Sequence, residues 1–234
     1  MQKAGFSDHF YSVKFLHTLL GRTLASYIQI LSRTCHFNVE GEEHYMAAIG
    51  SNRPVLYALW HQQLMPLMAF GWRVFDLKNF VFIVEGENRG RILAKMATTL
   101  NAHKVVQVDM QGNPTLAARQ VIHIIKSMEA GKYSMLTPDG PYGPAFEQKP
   151  GTAFIARKSN AVVVPCGAWA STAYQLKRWD RYLILFPYTQ VTVVFQKPIY
   201  VDNDMSRSQL ETSLNNEMHM ARRRAQALTY TLPS

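Results

Sequence analysis

Tyr133-Ser-Met-Leu-Thr-Pro-Asp-Gly-Pro-Tyr-Gly-Pro-Ala-Phe-Glu-Gln-Lys-Pro-Gly151 decides how the chain is read. A short apolar strand, Tyr133 to Leu136, enters a turn that holds four prolines and three glycines by Gly151. Proline fixes φ and glycine permits positive φ, so this density specifies one loop shape rather than a slack linker. In isolation Pro138-Asp139-Gly140 reads as a tight surface turn. A rigid loop at the carboxyl end of a buried strand is also where α/β proteins place their chemistry. The surrounding chain decides between the two.

Working outward, apolar runs alternate with helical patterns. Val55 to Trp60 is a continuous apolar run that ends on His61, as expected of a parallel strand covered on both faces. Leu64 to Val74 reads as a helix, Phe80 to Val84 as a strand, Gly90 to Leu100 as a helix, Lys104 to Val108 as a strand and Thr115 to Ala130 as a helix. After the loop come a helix, Thr152 to Lys158, and a strand, Ala161 to Val164, that ends at Pro165. Such alternation predicts an α/β class: one domain with a mostly parallel central sheet flanked by helices. Cys35 to Val39 is a short strand, followed by the acidic turn Glu40-Gly41-Glu42-Glu43. Tyr182 to Phe186 and Val191 to Phe195, close together around Pro187-Tyr188-Thr189, predict a C-terminal hairpin closing the sheet. The expected segments are a docking helix over residues 10–34, an α/β core over 35–200 and a polar helix over 206–228.

The first helix, Phe10 to Arg33, carries Val13, Leu16, Leu20, Leu24, Tyr27, Ile28 and Leu31 at spacings of three and four. Phe15, Leu19 and Ile30 widen that stripe, and Lys14, Arg22 and Arg33 add positive charge. It reads either as a helix covering a sheet edge or as one lying in an anionic membrane surface. No stretch is long and apolar enough to span a bilayer, and no secretory signal stands at the start.

The formal charge of +9 over 234 residues calls for an acidic partner: nucleic acid, anionic lipid or a phosphorylated substrate. Apart from Arg222, Arg223 and Arg224 the basic residues are dispersed, and no DNA- or RNA-recognition motif occurs, which argues against nucleic acid. Cys35 and Cys166 are far apart and lack metal-type spacing, so free thiols are expected. Apolar residues before Pro165 predict that Cys166 is buried, which disfavours a thiol hydrolase.

Residues able to carry chemistry collect just past strands. His61 suits a general base, or else is satisfied by a carbonyl at a helix start. Glu85-Gly86-Glu87-Asn88-Arg89-Gly90-Arg91 offers an anion clamp through Arg89 and Arg91 at a helix N-terminus, or a solvated turn. Asp109 to Asn113 reads as a helix cap leading into Pro114. The order strand–His, strand–Arg, strand–Pro-Asp-Gly, strand–Val-Pro places all of them along one sheet edge.

That order resembles the glycerolipid and lysophospholipid acyltransferase superfamily, most closely a short bacterial branch formerly of unknown function. The pieces that carry it are Trp60-His61, Thr137-Pro138-Asp139-Gly140-Pro141-Tyr142-Gly143-Pro144, Lys149-Pro150-Gly151 and Val163-Val164-Pro165. Leu176-Lys177-Arg178-Trp179-Asp180-Arg181 and Phe195-Gln196-Lys197-Pro198-Ile199 extend it. The resemblance implies that His61 deprotonates an acceptor hydroxyl, which then attacks an acyl thioester. Asp139 would orient the ring or hold the acceptor, Arg89 and Arg91 would bind its phosphate, and Gly140, Pro141, Tyr142 and Gly143 would line the site. It implies acyl-CoA or acyl-carrier protein as donor, a lysophospholipid or related lipid as acceptor, no metal or resident cofactor, and peripheral attachment to the cytoplasmic side of an anionic membrane.

Two departures stand out. The superfamily carries an acidic residue one turn after the histidine to orient the imidazole, and this chain has Pro66 there. The orienting carboxylate is therefore expected from Asp139, Glu85 or Glu87; without one, the chain is a weakly active or inactive lipid-binding protein of the same fold. The second block has Arg89-Gly90-Arg91 where the branch carries Asp-Gly-Glu, which leaves substrate choice open.

Overall fold

The computed structural model describes residues 4–86, 88–108, 114–202 and 204–231, with the side chains of the first helix described from residue 14 onward. The central sheet holds seven strands in the order β1 (His36–Glu40), β9 (Gln190–Phe195), β6 (Val162–Ala170), β2 (Val55–Ala58), β5 (Tyr133–Leu136), β3 (Phe80–Glu85) and β4 (Lys104–Val108). An eighth, β10 (Ile199–Tyr200), pairs with β6. Pairings β2/β5, β2/β6, β3/β5, β3/β4 and β1/β9 are parallel, and β6/β9 and β6/β10 antiparallel. The helices are α1 (Ala4–Thr34), α2 (Glu42–Gly50), α3 (Leu64–Val74), α4 (Asn88–Thr99), α5 (Pro114–Glu129), α6 (Pro150–Lys158) and α7 (Arg207–Thr231).

Side chains alternate across a strand, and β2 with the two residues after it shows the consequence. Val55, Tyr57 and Leu59 face a core built with α1, α3 and α4. Leu56, Ala58 and Trp60 face a second core built with α5, α6 and the first half of α7. Both faces are covered, which is why the run is apolar throughout.

Several sequence expectations change. The acidic residues after β1 open a helix, α2, with Gly41 in the left-handed region before it. The strand expected to end at Pro165 continues to Ala170, and all nine of its residues are buried. Pro165 sits where the parallel ladder to β2 ends and the antiparallel ladder to β9 begins, opposite Ala58. Its missing N–H costs no ladder bond there, and its carbonyl accepts the Gln196 N–H at 2.9 Å.

The expected C-terminal hairpin does not form. β8 (Leu183–Leu185) pairs with β7 (Ala173–Gln175) in a separate two-stranded sheet, while β9 inserts between β6 and β1. Pro187 and Tyr188, the latter at φ 67°, turn the chain out of one sheet and into the other. In α1 the buried line is Gly21, Ala25, Ile28 and Ser32, with Leu31 beside it. Phe15, Leu16, Leu19 and Leu20 stay exposed, so only the second half of the expected stripe is core.

Helix α7 crosses β6 at Gly167, where an added Cβ would lie 2.3 Å from the Ala221 carbonyl carbon and 2.6 Å from the Arg222 nitrogen. Both obstacles are backbone, so Gly167→Ala must push the helix off the strand. We expect a loss of about 2–3 kcal/mol, read as a lower urea midpoint at unchanged slope.

Candidate active site

β2 delivers its chain end to the carboxyl edge of the sheet, and Trp60 remains extended. His61–Gln63 then form a single 3₁₀ turn that runs directly into α3. Pro66 lies in the first turn of α3, where a missing N–H is tolerated, and it is buried. It fills with apolar volume the position where the resemblance places an acid.

The carboxylate that meets the imidazole comes from elsewhere. Asp180 Oδ2 lies 2.8 Å from His61 Nδ1, and the Asp180 side chain is fully buried. The carboxylate is close to the ring but off hydrogen-bond alignment, so the contact is one of proximity between a carboxylate and an imidazole nitrogen. Arg178 Nη2 stands 3.0 Å from the same oxygen, and the Tyr182 N–H donates to Oδ1 at 3.3 Å. His61 packs between Trp179 and Tyr182, with ring centroids 5.4 and 5.8 Å away, and keeps 20% of its side chain exposed. Burial lowers its pKa, Asp180 pulls the other way, and the direction that prevails is downward. The ring is therefore neutral at neutral pH and can accept a proton.

Asp139 has a different task from the one expected. It is fully buried and does not orient the ring; its carboxylate accepts the His61 backbone N–H at 3.1 Å and the Phe146 N–H at 3.4 Å. The Gly140 N–H donates to the Thr137 carbonyl and the Lys149 N–H to that of Pro138, both at 2.9 Å, which closes the loop on itself. Gly143, at φ 70°, lies under the Trp179 indole; a Cβ there would come within 2.6 Å of the ring, so conformation and space both require glycine. Within residues 140–143, Gly140 is engaged and Pro141 lacks a donor, so Tyr142 and Gly143 carry N–H groups not bonded to other described main chain. Tyr142 is exposed at the tip.

Arg89 and Arg91 are exposed at the start of α4, past the end of β3. β5 separates β3 from β2, so the two strand ends lie roughly 10 Å apart, two strand spacings. Neither arginine contacts His61, Asp139 or Asp180 among the described residues. Glu85 closes the same strand, while Glu87 and Asp109 to Asn113 lie outside the described residues. Cys166 is buried and burial pushes its thiol pKa far up, which removes it as a nucleophile.

Sequence reading missed Asp180, Trp179, Tyr182 and the link from α7. Arg222 Nε donates to Gln62 Oε1 at 2.8 Å, and Gln62 Nε2 donates to the Arg181 carbonyl at 3.2 Å. The available signal was the Leu176 to Arg181 stretch, which holds the only carboxylate between Thr152 and Val201.

The class that this architecture defines is an α/β fold shared with a glycerolipid acyltransferase. The crystal structure of the 1-acyl-sn-glycerophosphate acyltransferase PlsC from Thermotoga maritima matches at TM-score 0.57 and 17% identity, over 97% of this chain and 85% of that one. At that identity the likeness is one of fold. No family model matches the chain. In sequence, an uncharacterized protein of Rickettsia prowazekii (strain Madrid E) is 27% identical over 158 residues, 67% of this chain and 68% of the relative.

Burial raises the Asp139 pKa to about 6, with Asp180 adding to the rise and the N–H groups of His61 and Phe146 opposing it. A raised carboxylate pKa favours the fold at low pH and loses that contribution as pH climbs through 6. Compared with Asp139→Asn, the wild type should therefore lose relative stability between pH 4 and pH 7, by on the order of 2–3 kcal/mol. Urea melts of both proteins across that range check it; a pH-independent difference would refute the assignment.

Proposed function

We propose that the protein transfers a fatty acyl group from an acyl thioester, carried by coenzyme A or acyl-carrier protein, to a hydroxyl of a lysophospholipid or related lipid at a membrane surface. The observation that carries this reading is the neutral, partly open His61 ring braced by Asp180 beside a rigid loop, on a fold shared with a glycerolipid acyltransferase. Nδ1 faces Asp180, which leaves Nε2 to take the proton of the acceptor hydroxyl. The acceptor oxygen attacks the thioester carbonyl and forms a C–O bond. The Tyr142 and Gly143 N–H groups are the donors this reading assigns to the tetrahedral oxyanion. Collapse breaks the C–S bond, and the imidazolium returns its proton to the departing sulfur. The inactive alternative rested on the lack of an orienting acid, and Asp180 removes that support.

Arg89 and Arg91, exposed on the same edge, remain the proposed clamp for a substrate phosphate. The exposed row Phe15, Leu16, Leu19 and Leu20, next to exposed Lys14 and Arg22, supports docking of α1 on an anionic membrane at the cytoplasmic face. No described helix is long and apolar enough to cross a membrane.

With lysophospholipid vesicles and an acyl thioester, thiol release should be abolished in His61→Ala. In Asp180→Asn it should fall by about 10²–10⁴, as expected when an imidazole loses its orienting carboxylate. Wild-type kcat/KM should rise with pH through a midpoint below 6.5 and level off near neutrality, because only the neutral ring accepts a proton. Asp180→Asn removes the group that raises the ring pKa, so its midpoint should move lower. Thiol release by His61→Ala equal to that of the wild type would refute the role of His61.

Replacing Phe15 and Leu19 with Asp takes charge into the exposed row and should cut co-sedimentation with anionic vesicles by about tenfold or more, leaving the melting temperature unchanged. Undiminished sedimentation would place the docking surface elsewhere.

A further inference from the structure

Arg222 differs from an ordinary surface arginine. Its Nε is fixed by Gln62, and its guanidinium lies 4.5 Å from the Phe146 ring centroid and 5.6 Å from that of Trp169, so both its edge and its flat sides are held. The Gln62 amide that braces it also holds the Arg181 main-chain carbonyl, so one amide next to the His61 turn ties Arg222 to the Arg181 backbone. Arg178, two residues before Asp180 and three before Arg181, stands on the Asp180 carboxylate. Arg223 follows on α7 and lines a shallow groove with Asn216, His219 and Met220.

Burial lowers the Arg222 pKa, and the charges of Arg181 and Arg223, both of its own sign, lower it further. Asp180 is already matched by Arg178 and His61. Among the described residues, Arg222 bonds through Nε alone, and its terminal nitrogens make no hydrogen bond or ion pair. Like charges gathered in a partly desolvated place are costly, and an entering anion relieves that cost. A guanidinium held at Nε presents its planar fork to such an anion, and phosphate oxygens match that fork bidentately.

We propose that Arg181 and Arg222, with Arg178 at the rim, form a seat for a phosphate group of a substrate, braced by Gln62, the residue after His61. The proposal rests on the acyltransferase reading, in which acceptor and thioester donor each carry phosphate. It lies apart from Arg89 and Arg91 on the edge of the sheet, so the two arginine groups divide the two substrates between them.

The test is direct binding, without turnover. The full-length protein is titrated calorimetrically with coenzyme A and, separately, with a short-chain lysophosphatidate below its micelle concentration. The variants are Arg181→Ala, whose side chain is exposed, and Arg222→Lys, which keeps charge and stem but loses the fork. One probe should lose about tenfold in affinity in each variant while the other binds unchanged, which identifies the substrate that uses the seat. Binding of both probes within twofold of wild type in both variants overturns the proposal, as does a wild type that binds neither. Should Arg222→Lys melt early, Arg181→Ala alone decides. Arginine-dependent binding without any acyl transfer would refute the reaction and leave the seat standing.

Discussion

Asp139 directs both carboxylate oxygens at backbone N–H groups, one on His61 and one on Phe146. Those two bonds tie the end of β2 to the proline-rich loop after β5, its neighbour in the sheet. Without them the 3₁₀ turn and the loop would be separate surface connections, free to move apart. With them, the peptide carrying the imidazole and the N–H groups of Tyr142 and Gly143 share one rigid frame. A buried acceptor holding two backbone donors also satisfies groups that would otherwise be orphaned at a strand end.

The ring is a separate problem from the peptide, and a second carboxylate handles it. Asp180 is brought in by the 176–182 turn between β7 and β8, a small sheet outside the main one. Trp179 packs that turn onto Gly143, so the loop that fixes the His61 backbone is also the floor for the residue that fixes its ring. Helix α7 completes the enclosure: it crosses β6 at Gly167 and sends Arg222 to Gln62, the residue after His61. Local order around the histidine thus depends on segments from the middle and the end of the chain.

The parallel sheet was legible because β2, β3, β4 and β5 are apolar runs bounded by helical patterns, and periodicity reports burial directly. The position of His61 at the carboxyl edge followed from the same reading. Proximity in sequence predicts a hairpin there, whereas β9 fills a slot between β1 and β6 that only the completed sheet defines. Pro165 misled for a related reason: a strand can keep a proline where its partners change. Asp180 was hidden because no spacing rule links it to His61. Their contact exists only after β7 and β8 fold across α3, to which β8 is joined by the Leu185 N–H directed at Met65 Sδ.

Two buried carboxylates so close to one histidine raise the question of how their tasks divide. Their surroundings separate them. Asp180 has side-chain partners, Arg178 at 3.0 Å and the imidazole at 2.8 Å. Asp139 has only backbone N–H dipoles, and Asp180 itself pushes its pKa upward to about 6. A proton on Asp139 near that pH relieves the cost of burying its charge, which is why the fold loses that contribution as pH rises. The division follows from where each carboxylate finds its partners: Asp180 meets the side chains of Arg178 and His61, and Asp139 meets main-chain N–H groups.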